Sequence, residues 1–500
     1  MRRSPALEAI WASGRYIGNN RANAYVTVNP TWHLAEDHSS SSEVYAWWRV
    51  PFRRWAGTGS DIEVPRQVIK SIQIDRSITE DAGQCQLTIK NVNPSGGPNI
   101  AGQGHFSLRQ ASSPTGRPQS GWGNLTYPGT SASYGHFGPG SMFKTYEGYG
   151  GYNLSRSAAL AAGNVVPTGV WIIDDTNVNS SGDLVCIARD LGSLLVDAKM
   201  YPPFMPDGCY PTQFYSETWN TEVNGDPEGF FPTVTNYRDI MNVCELIALW
   251  AGFHAPDGSG VLGHIEDTGI DLPAPIKHDF FDKKPLIDVI KELLKIVGYR
   301  AWVDQEGGLR MTSQNIWRAG NRLYNGGETG GRFTISELQT LTDFTAGWSR
   351  RNDRSHITAS QGNPEIEKGV KHATWVAAEH DYRSQLRGVV NPAFFHMEKD
   401  LPLEDMTKLV ELTAIRAWWS RHNGQIQAMA NPLIDPDDQH QVVESTTWNT
   451  FLHRVKSIST THTPDDGNYF MTIQSNWMGT VDSGWYVEVT EDGHVRYNAG

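Results

Sequence analysis

Two pairs of strand-like runs constrain this fold more than any other feature of the sequence. Residues 69–74 and 85–90 alternate apolar with polar side chains and are separated by a polar loop, and the apolar runs 170–173 and 184–188 flank a second turn at 179–182. A period of two places apolar side chains on one face of a strand, and two such runs joined by a polar loop form an antiparallel hairpin. The chain is therefore predicted to be built mainly on antiparallel sheet.

Amphipathic helices interrupt the strands at three places. The spacing of apolar residues predicts helices over 240–251 and 284–297, each stopped by the glycine that follows. A longer helix presents its apolar face from Met406 to Ala417 and is predicted to end near Gly424. Further strands are predicted at 299–303, 309–312, 441–443, 451–458 and 469–477. Helices mixed with antiparallel strands give the fold class α+β, mostly antiparallel β.

Two segments lack a clear pattern. Residues 1–60 contain one strand-like run at 23–28, followed by tryptophans interleaved with arginines, which favours a docking arm; an N-terminal segment packed on its own domain is the alternative. The arm's interleaved residues are Trp47, Trp48, Arg49, Arg53, Arg54 and Trp55.

Residues 94–165 are dense in Gly, Ser and Pro and are predicted to be a surface insertion, with low-complexity disorder as the alternative.

Charge and cysteine usage exclude several classes of protein. The formal net charge is -13, which argues against a tight nucleic-acid binder, because such proteins neutralise phosphates with Lys and Arg. The four cysteines, Cys85, Cys186, Cys209 and Cys244, form no CxxC pair and are predicted to be small buried hydrophobes. No run approaches the roughly 18 apolar residues that a membrane span needs.

Two polar clusters imitate metal sites. Asp175, Asn177 and Asn179 match the first half of a calcium loop, but Ser180 stands where that loop needs Gly and Cys186 where it needs Glu. A polar hairpin turn is therefore predicted. The second cluster, before a predicted strand, is predicted to be a solvated turn and consists of Asp435, Asp437, Asp438 and His440.

Enzyme motifs are missing from the sequence. It contains no HExxH pair, GxSxG elbow, P-loop or GxGxxG placed between strand and helix. The carboxylate pairs Glu365/Glu367 and Glu404/Asp405 are compatible with a glycosidase only if folding holds the two carboxyl groups at a suitable distance across a sugar. Trp418 and Trp419 are compatible with sugar stacking. We predict no enzyme and no catalytic, cofactor-binding or metal-binding residue.

Four passages together resemble the baseplate-hub and tail-tip proteins of long-tailed bacteriophages. Residues 68–91 resemble that family's opening hairpin, and residues 169–195 a strand pair ending in a short helical turn. Residues 281–311 are similar to its helix ending in Gly-Tyr with a following hairpin, and residues 429–477 to its closing strands. The likeness covers about half of the chain and rests on the order of the passages.

The resemblance implies two tube-like β-barrel domains with an inserted small α+β domain. Its expected boundaries are an N-terminal arm at 1–60, a first tube-like domain at 61–200 carrying the insertion 94–165, an α+β domain at 201–333, a second tube-like domain at 334–480 and a C-terminal tail at 481–500. Three copies would then form a ring with pseudo-sixfold symmetry at the end of the tail tube.

The resemblance also implies a location and partners. The chain would lie at the virion tail tip and contact further copies of itself, the tail tube or distal-tail ring, the tape measure protein and other minor tail proteins. DNA would pass through the ring without specific binding, and an acidic wall would keep it mobile. The alternative is a peripheral tail protein that binds or degrades host-surface glycan, which the 18 Trp and 18 Tyr residues favour.

Overall fold

The structure is a computed structural model in which the ordered elements are strands with a few short helices. It describes, with single-residue gaps, residues 4–13, 20–29, 33–37, 52–56, 61–90, 137–199, 240–253, 262–265, 284–313, 333–336, 341–348, 354–361, 371–376, 392–397, 422–444, 449–480, 485–489, 495–498 and scattered positions from 403 to 413.

The first part of the chain supplies one edge of the main sheet and the segments that cover it. Its helices are α1 (Pro5–Ser13), α2 (Arg156–Ala161) and α3 (Ser193–Asp197), with a 3-10 turn at Arg66–Val68. Its strands are β1 (Ala22–Asn29), β2 (His33–Asp37), β3 (Phe52–Ala56), β4 (Ile62–Val64), β5 (Ile69–Ser77), β6 (Gln84–Ile89), β7 (Met142–Tyr149), β8 (Val165–Val178) and β9 (Leu184–Asp190).

The rest of the chain supplies a small helix pair and the other edge of the main sheet. Its helices are α4 (Ile240–Ala251) and α5 (Leu286–Val297). Its strands are β10 (Leu262–Ile265), β11 (Tyr299–Val303), β12 (Leu309–Ser313), β13 (Phe333–Ser336), β14 (Leu341–Trp348), β15 (His356–Gln361), β16 (Lys371–Val376), β17 (Ala393–Met397), β18 (His422–Met429), β19 (Gln439–Glu444), β20 (Asn449–Thr463), β21 (Asn468–Thr480), β22 (Trp485–Val489) and β23 (Val495–Asn498).

Fifteen of these strands form one sheet. Its main path runs β14-β18-β21-β20-β5-β6-β9-β8-β7-β1-β4, with β13, β19, β22 and β23 attached beside it. Nearly every pair is antiparallel, so the predicted class, α+β with mostly antiparallel strands, is correct. Within the described strands the path stays open between β14 and β4, and closure into barrels remains a proposal.

Strand β20 joins the two ends of the chain. One edge of β20 pairs with β21, while the other pairs with β19 over its first half and with β5 over its second half. The register against β21 shifts between Leu452 and His453 and again between Val455 and Ser457, where β20 passes from one partner to the other. Such irregularities bend a strand and increase its twist. Strands of the two predicted tube-like domains thus share one sheet.

Strand β1 of the N-terminal segment is part of this sheet, whereas β2 and β3 form a separate two-stranded sheet in which β3 carries Arg53, Arg54 and Trp55 of the predicted arm. Strand β1 lies between β7 and β4, and its residues from Ala22 to Val28 are buried. Helix α1 places Leu7 and Trp11 in the core. The docking-arm prediction is therefore wrong for α1 and β1, because a strand buried on both faces shows no alternation. Trp47, Trp48 and Arg49 lie outside the described residues.

The predicted insertion, likewise, ends earlier than residue 165. Strand β7 pairs with β1 and β8, and seven of its eight residues are buried. Burial on both faces removes the period of two from its sequence, MFKTYEGY. Three other strands also escaped prediction. Strand β18 occupies the region where the long helix was expected to end, and β22 and β23 pair within the predicted tail.

Two apolar cores fill the buried side of the main sheet. The first collects Ile72, Leu87, Cys186 and Trp171 with their neighbours from β1 and β5 to β9. The second collects Ile426, Ile473 and other residues of β18 to β21. Leu7, Trp11, Ala22, Tyr149 and Val166, from α1, β1, β7 and β8, also pack in this second core. Elements from the start of the chain therefore cover residues near its end.

The predicted helices are confirmed where the structure describes them. Helix α4 ends at Ala251 and is followed by Gly252, whose φ of 107° is accessible to glycine, and α5 leads into the predicted hairpin β11–β12. Residues 403, 406, 407, 410 and 413 are helical, with Met406 and Val410 buried. Cys85, Cys186 and Cys244 are buried free thiols, as predicted, while Cys209 lies outside the described residues.

Candidate assembly face and buried polar seam

The exposed side of the main sheet is a broad face of uncharged polar side chains. Residues paired directly across neighbouring strands point to the same side. One such row crosses seven strands and runs Asp343, Gln427, Thr472, Ser459, Asp75, Gln84, Arg189. At about 4.8 Å between strands, the row is about 30 Å long. We call this surface the polar face.

The parallel rows of the polar face are also mostly uncharged, and one of them includes the exposed apolar side chains of Phe470 and Ile187. One runs Thr345, Gln425, Gln474, Ser457, Ser77, and another runs Met429, Phe470, Thr461, Gln73, Gln86, Ile187, Asp175. The charges among these residues are the acids Asp343, Asp75 and Asp175 and the base Arg189. Arg189 already donates to the carboxylates of Asp174 and Asp197 at 2.6–3.1 Å. The face is thus nearly neutral with a slight acidic excess.

On the buried side, a polar seam lies between the two cores. Glu147 of β7 is fully buried and its Oε1 atom is 3.0 Å from His462 Nδ1 of β20. Tyr469 of β21 donates to Glu147 Oε2 at 3.5 Å, and its ring stacks on His462 with centroids 4.5 Å apart. Burial and the neighbouring Glu147 raise the pKa of Tyr469 well above its ordinary value, so its hydroxyl keeps its proton.

Arg76 extends the seam toward the first core. Its side chain is buried, its Nη1 atom is 3.0 Å from Asp435 Oδ1, and its Nη2 atom donates to the Thr168 carbonyl. The guanidinium also lies over the Trp171 ring, 5.4 Å from its centroid. A buried charge is tolerated only when it is paired in this way. Arg76 therefore ties β5 to the 430–438 segment and to β8.

Single hydrogen bonds reinforce the connection between the chain's two parts. Tyr149 Oη donates to the Ala430 carbonyl at 2.6 Å, and Trp11 Nε1 to the Met429 carbonyl at 3.4 Å. Gln305, in the β11–β12 turn, donates from Nε2 to the Ile434 carbonyl at 3.3 Å. Residues 429–434 are thus contacted by three separate segments.

A second buried feature is a pair of histidines in the second core. His440 of β19 and His453 of β20 are direct cross-strand neighbours whose rings stack at 5.7 Å. His453 Nδ1 is 2.9 Å from Ser475 Oγ, whereas neither ring nitrogen of His440 has a hydrogen-bond partner among the described residues. Burial lowers the pKa of His440 to about 3 and that of His453 well below its ordinary value. Both imidazoles are therefore neutral at physiological pH.

Asp190 is a buried carboxylate at the end of β9. Its Oδ2 atom accepts from the Gly83 backbone N–H at 2.7 Å and its Oδ1 atom from the Gly192 N–H at 2.8 Å. Burial raises the pKa of Asp190 to about 6, although these two hydrogen bonds and Arg76 oppose the shift. The carboxylate fixes the β5–β6 turn against the start of α3.

Of the calcium-like residues, Asn179 lies in the predicted hairpin turn, whereas Asp175 and Asn177 lie in β8. Asn179 Oδ1 accepts from the backbone N–H groups of Ser181 and Asp183 at 3.0 and 2.9 Å. Asn177 donates to Asp175 at 3.2 Å from within β8. The Asn179 oxygen thus stabilises the turn between β8 and β9.

The residues of the second cluster point in different directions. Asp438 Oδ2 accepts from the Asp435 backbone N–H at 2.8 Å, Asp435 faces Arg76, and His440 lies inside the core beside His453. The solvated-turn prediction is wrong for Asp438 and His440, which are buried because the segment packs under the sheet. Sequence reasoning therefore missed the role of Asp435 in the seam, since its partner Arg76 is distant in the chain.

The remaining candidates stay predictions. Glu365, Glu367, Glu404, Asp405, Trp418, Trp419 and Asp437 lie outside the described residues. Within the described part of the chain, no three His, Cys, Asp or Glu side chains group as metal ligands. No described helix has the length and apolar character to span a membrane.

Comparison with known proteins gives similar structures but no related sequence. No family model matches the chain, and no curated protein matches it. A tail protein from Neisseria meningitidis is 9% identical with a TM-score of 0.48, over 91% of this chain and 96% of that protein. The 43 kDa tail protein of prophage MuSo2 from Shewanella oneidensis is 12% identical with a TM-score of 0.47, over 84% and 96%.

A third similar structure is prophage tail protein gp18 from Listeria monocytogenes, 8% identical with a TM-score of 0.40 over 84% of this chain and 91% of that protein. TM-scores below 0.5 at such identities do not establish a shared fold, so function has to be inferred from this chain's own residues. The solved structures that this chain resembles include phage tail and baseplate proteins.

Proposed function

We propose that this protein is a structural, non-catalytic subunit of a phage tail tip, and that copies of it form a ring whose polar face lines the path of the DNA. The observation that carries the proposal is the polar face, an exposed surface seven strands wide in which amides and hydroxyls predominate.

The chemistry of the polar face suits a wall past which DNA moves. Tight binding to DNA requires Lys and Arg against the phosphates. Arg189, the base among the paired rows of this face, is already neutralised by Asp174 and Asp197. The acids Asp343 and Asp75 repel phosphates weakly, while uncharged amides leave the sliding polymer no strong anchor.

The four passages that carry the family resemblance also come together. Three of them contain the pair β5–β6, the pair β8–β9 and the three strands β19, β20 and β21, which occupy one sheet with β20 beside β5. The fourth, with α5 and the β11–β12 hairpin, contacts the last of these segments through Gln305. This arrangement supports the proposal that the two tube-like units are joined rigidly.

The proposed ring is a homotrimer between the tail tube or distal-tail ring and more distal tip proteins. Its two tube-like units per copy, its contacts with the tape measure protein and its position at the tail tip all belong to the proposal.

An image of the purified tail with this chain located in it tests the position directly. We expect the chain on the tail axis with Gln427, Gln474 and Gln86 toward the lumen. A peripheral position, or a monomer in light-scattering measurements of the purified protein, would contradict the proposal.

Charge variants test the face itself. Placing lysines at Gln427, Gln474 and Gln86 should slow DNA release from particles, because each lysine adds a phosphate contact. Lysine at Ser181, an exposed turn residue, is the matched control and should leave release unchanged. Unaltered release from the triple variant would count against a lumen position.

The peripheral glycan-binding or glycan-degrading alternative has its own test. Purified protein is incubated with host cell wall, and soluble sugar is measured over time. Sustained sugar release would replace the structural proposal with the enzymatic one.

A further inference from the structure

We propose that two arginines beside Tyr152 form a docking site for the carboxylates of an acidic segment on a neighbouring protein. Arg21 directly precedes β1, and Arg66 begins the 3-10 turn between β4 and β5. None of these three residues belongs to the rows of the polar face, so the site does not depend on the function proposed for that face. We call it the arginine clasp.

The clasp brings two positive charges to one aromatic ring. The guanidinium carbon of Arg21 lies 3.1 Å from the centroid of the Tyr152 ring, and that of Arg66 lies 4.8 Å from it. Arg66 is also 4.8 Å from the centroid of the Tyr25 ring. The negative face of an aromatic ring attracts a cation, which helps to hold both guanidinium groups in place.

The turn that carries the Tyr152 ring is fixed from several sides. The Gly150 backbone N–H donates to the Arg21 carbonyl at 3.0 Å, and Asn23 Nδ2 donates to the Gly150 carbonyl at 3.1 Å. Tyr25 Oη donates to the Leu154 carbonyl at 2.8 Å. Gly150, with a φ of 79°, adopts the left-handed conformation that such a tight turn needs. A preorganised turn lowers the entropy lost on binding.

The arginines of the clasp have no carboxylate within salt-bridge distance in the described part of the chain. Arg66 donates to neutral acceptors, Asn23 Oδ1 at 3.0 Å and the Leu154 carbonyl at 3.4 Å, and neither arginine forms a salt bridge there. The nearby Arg156, by contrast, lies 3.6 Å from Glu63. Two like charges placed together destabilise each other, and an anion relieves this repulsion.

Carboxylates on a protein are the anions that the clasp fits best. A guanidinium presents planar donors that match a carboxylate with two parallel hydrogen bonds. Arg and Tyr are also the residues that dominate binding energy at protein interfaces, and Leu154, 38% exposed, adds an apolar contact beside them. A nucleic acid carries a charge at every nucleotide, so the repulsion from a chain whose net charge is -13 would be larger for it than for a short acidic segment.

A labelled peptide with two glutamates flanking a leucine tests the site by fluorescence anisotropy at low ionic strength. The control probe carries glutamines in place of the glutamates. We expect the glutamate peptide to bind the full-length protein about tenfold more tightly than the glutamine peptide, a difference of about 1.4 kcal/mol. The double variant Arg21→Gln, Arg66→Gln should lose that preference.

Matched variants separate docking from folding. Arg189→Gln, which removes a surface arginine already paired with Asp174 and Asp197, should bind like the wild type. Arg66→Lys keeps the charge but loses the planar donors, so it should bind with intermediate affinity. The single variant Arg21→Gln leaves the hydrogen bonds of Arg66 in place and serves if the double variant has a lowered unfolding midpoint.

Three results would overturn the inference. The first is equal affinity of the protein for the glutamate and glutamine peptides. The second is wild-type affinity for the glutamate peptide in a folded variant that lacks the Arg21 charge. The third is displacement of the labelled peptide by a thymidine oligonucleotide at a lower concentration than by unlabelled glutamate peptide. The last result would assign the clasp to phosphates.

Discussion

Replacing His440 by leucine is expected to stabilise the protein and to reduce its sensitivity to acid. The imidazole of His440 is fully buried, stacks on His453 and leaves both ring nitrogens without a hydrogen-bond partner among the described residues. An unsatisfied buried polar group costs about 1–3 kcal/mol. Leucine has a similar volume and no polar atom, so the free energy of unfolding should rise by about 1–3 kcal/mol at pH 8.

The pH dependence follows from the direction of the pKa shift. Burial lowers the pKa of His440 from 6.5 to about 3, so the folded state disfavours the charged imidazole. The contribution of His440 is therefore complete above pH 6.5 and is lost as the pH falls toward 3. Each pH unit in this window is worth about 1.4 kcal/mol, so the wild type should lose about 2 kcal/mol from this residue by pH 5.

Urea unfolding of both proteins at pH 8 and pH 5, followed by tryptophan fluorescence, measures the difference. Comparison at equal pH cancels the other titrating groups, except that His453, whose pKa is also lowered, still contributes to acid sensitivity in the variant. The control is His372→Leu, which removes an exposed imidazole. The reasoning would be refuted if the free energy of unfolding fell by the same amount between pH 8 and pH 5 in the wild type and in His440→Leu.

Three further substitutions test other contacts. Gly424→Ala should lower the free energy of unfolding by about 1–3 kcal/mol, because the added Cβ would lie 2.8 Å from His453 Cε1, and His453→Ala in the same chain should relieve the loss. Tyr149→Phe should cost about 1 kcal/mol in urea unfolding, since it removes the hydrogen bond to Ala430. The pKa of Asp190 is raised from 3.8 to about 6, so its contribution to stability is complete below pH 3.8 and is lost as the pH rises to 6. Between these two pH values, the free energy of unfolding of Asp190→Asn should therefore rise relative to that of the wild type by up to about 3 kcal/mol. A difference in free energy of unfolding that does not change with pH would contradict this.

Local patterns predicted the elements whose burial is one-sided. The β5–β6 and β8–β9 hairpins and the helices α4 and α5 have one apolar face, and each lies within a few residues of its predicted position. A period of two or of 3.6 is visible only when the opposite face is polar. The class of the fold followed from these elements.

Strands buried on both faces escaped prediction for the same physical reason. Strand β7 contains Lys144, Glu147 and Gly148 among aromatic residues, so its sequence resembles a polar loop. Its polar groups are accommodated by distant partners, since Glu147 faces His462 and Lys144 lies 3.5 Å from Asp61. A single sequence carries no signal for pairings between residues so far apart.

The candidate site was predictable only in part. The excess of acidic residues suggested a surface that does not grip DNA, but the polar face needed the strand register that brings Gln73 beside Gln86 and Thr461. The grouping of Asp435 with His440 in the sequence predicted one solvated turn, whereas in the fold Asp435 contacts Arg76 and His440 stacks on His453. Alternate residues of a segment at the sheet margin face different neighbours.

The shared strand β20 has a consequence for the order in which the protein can fold during synthesis. Strand β5 leaves the ribosome early, but its second neighbour in the sheet arrives only when residues 457–462 have been made. Until then the edge of β5 is exposed to other chains, and pairings of such long sequence separation form slowly. A nascent copy should therefore depend on chaperones, and premature termination before β20 should yield aggregates instead of a smaller folded unit.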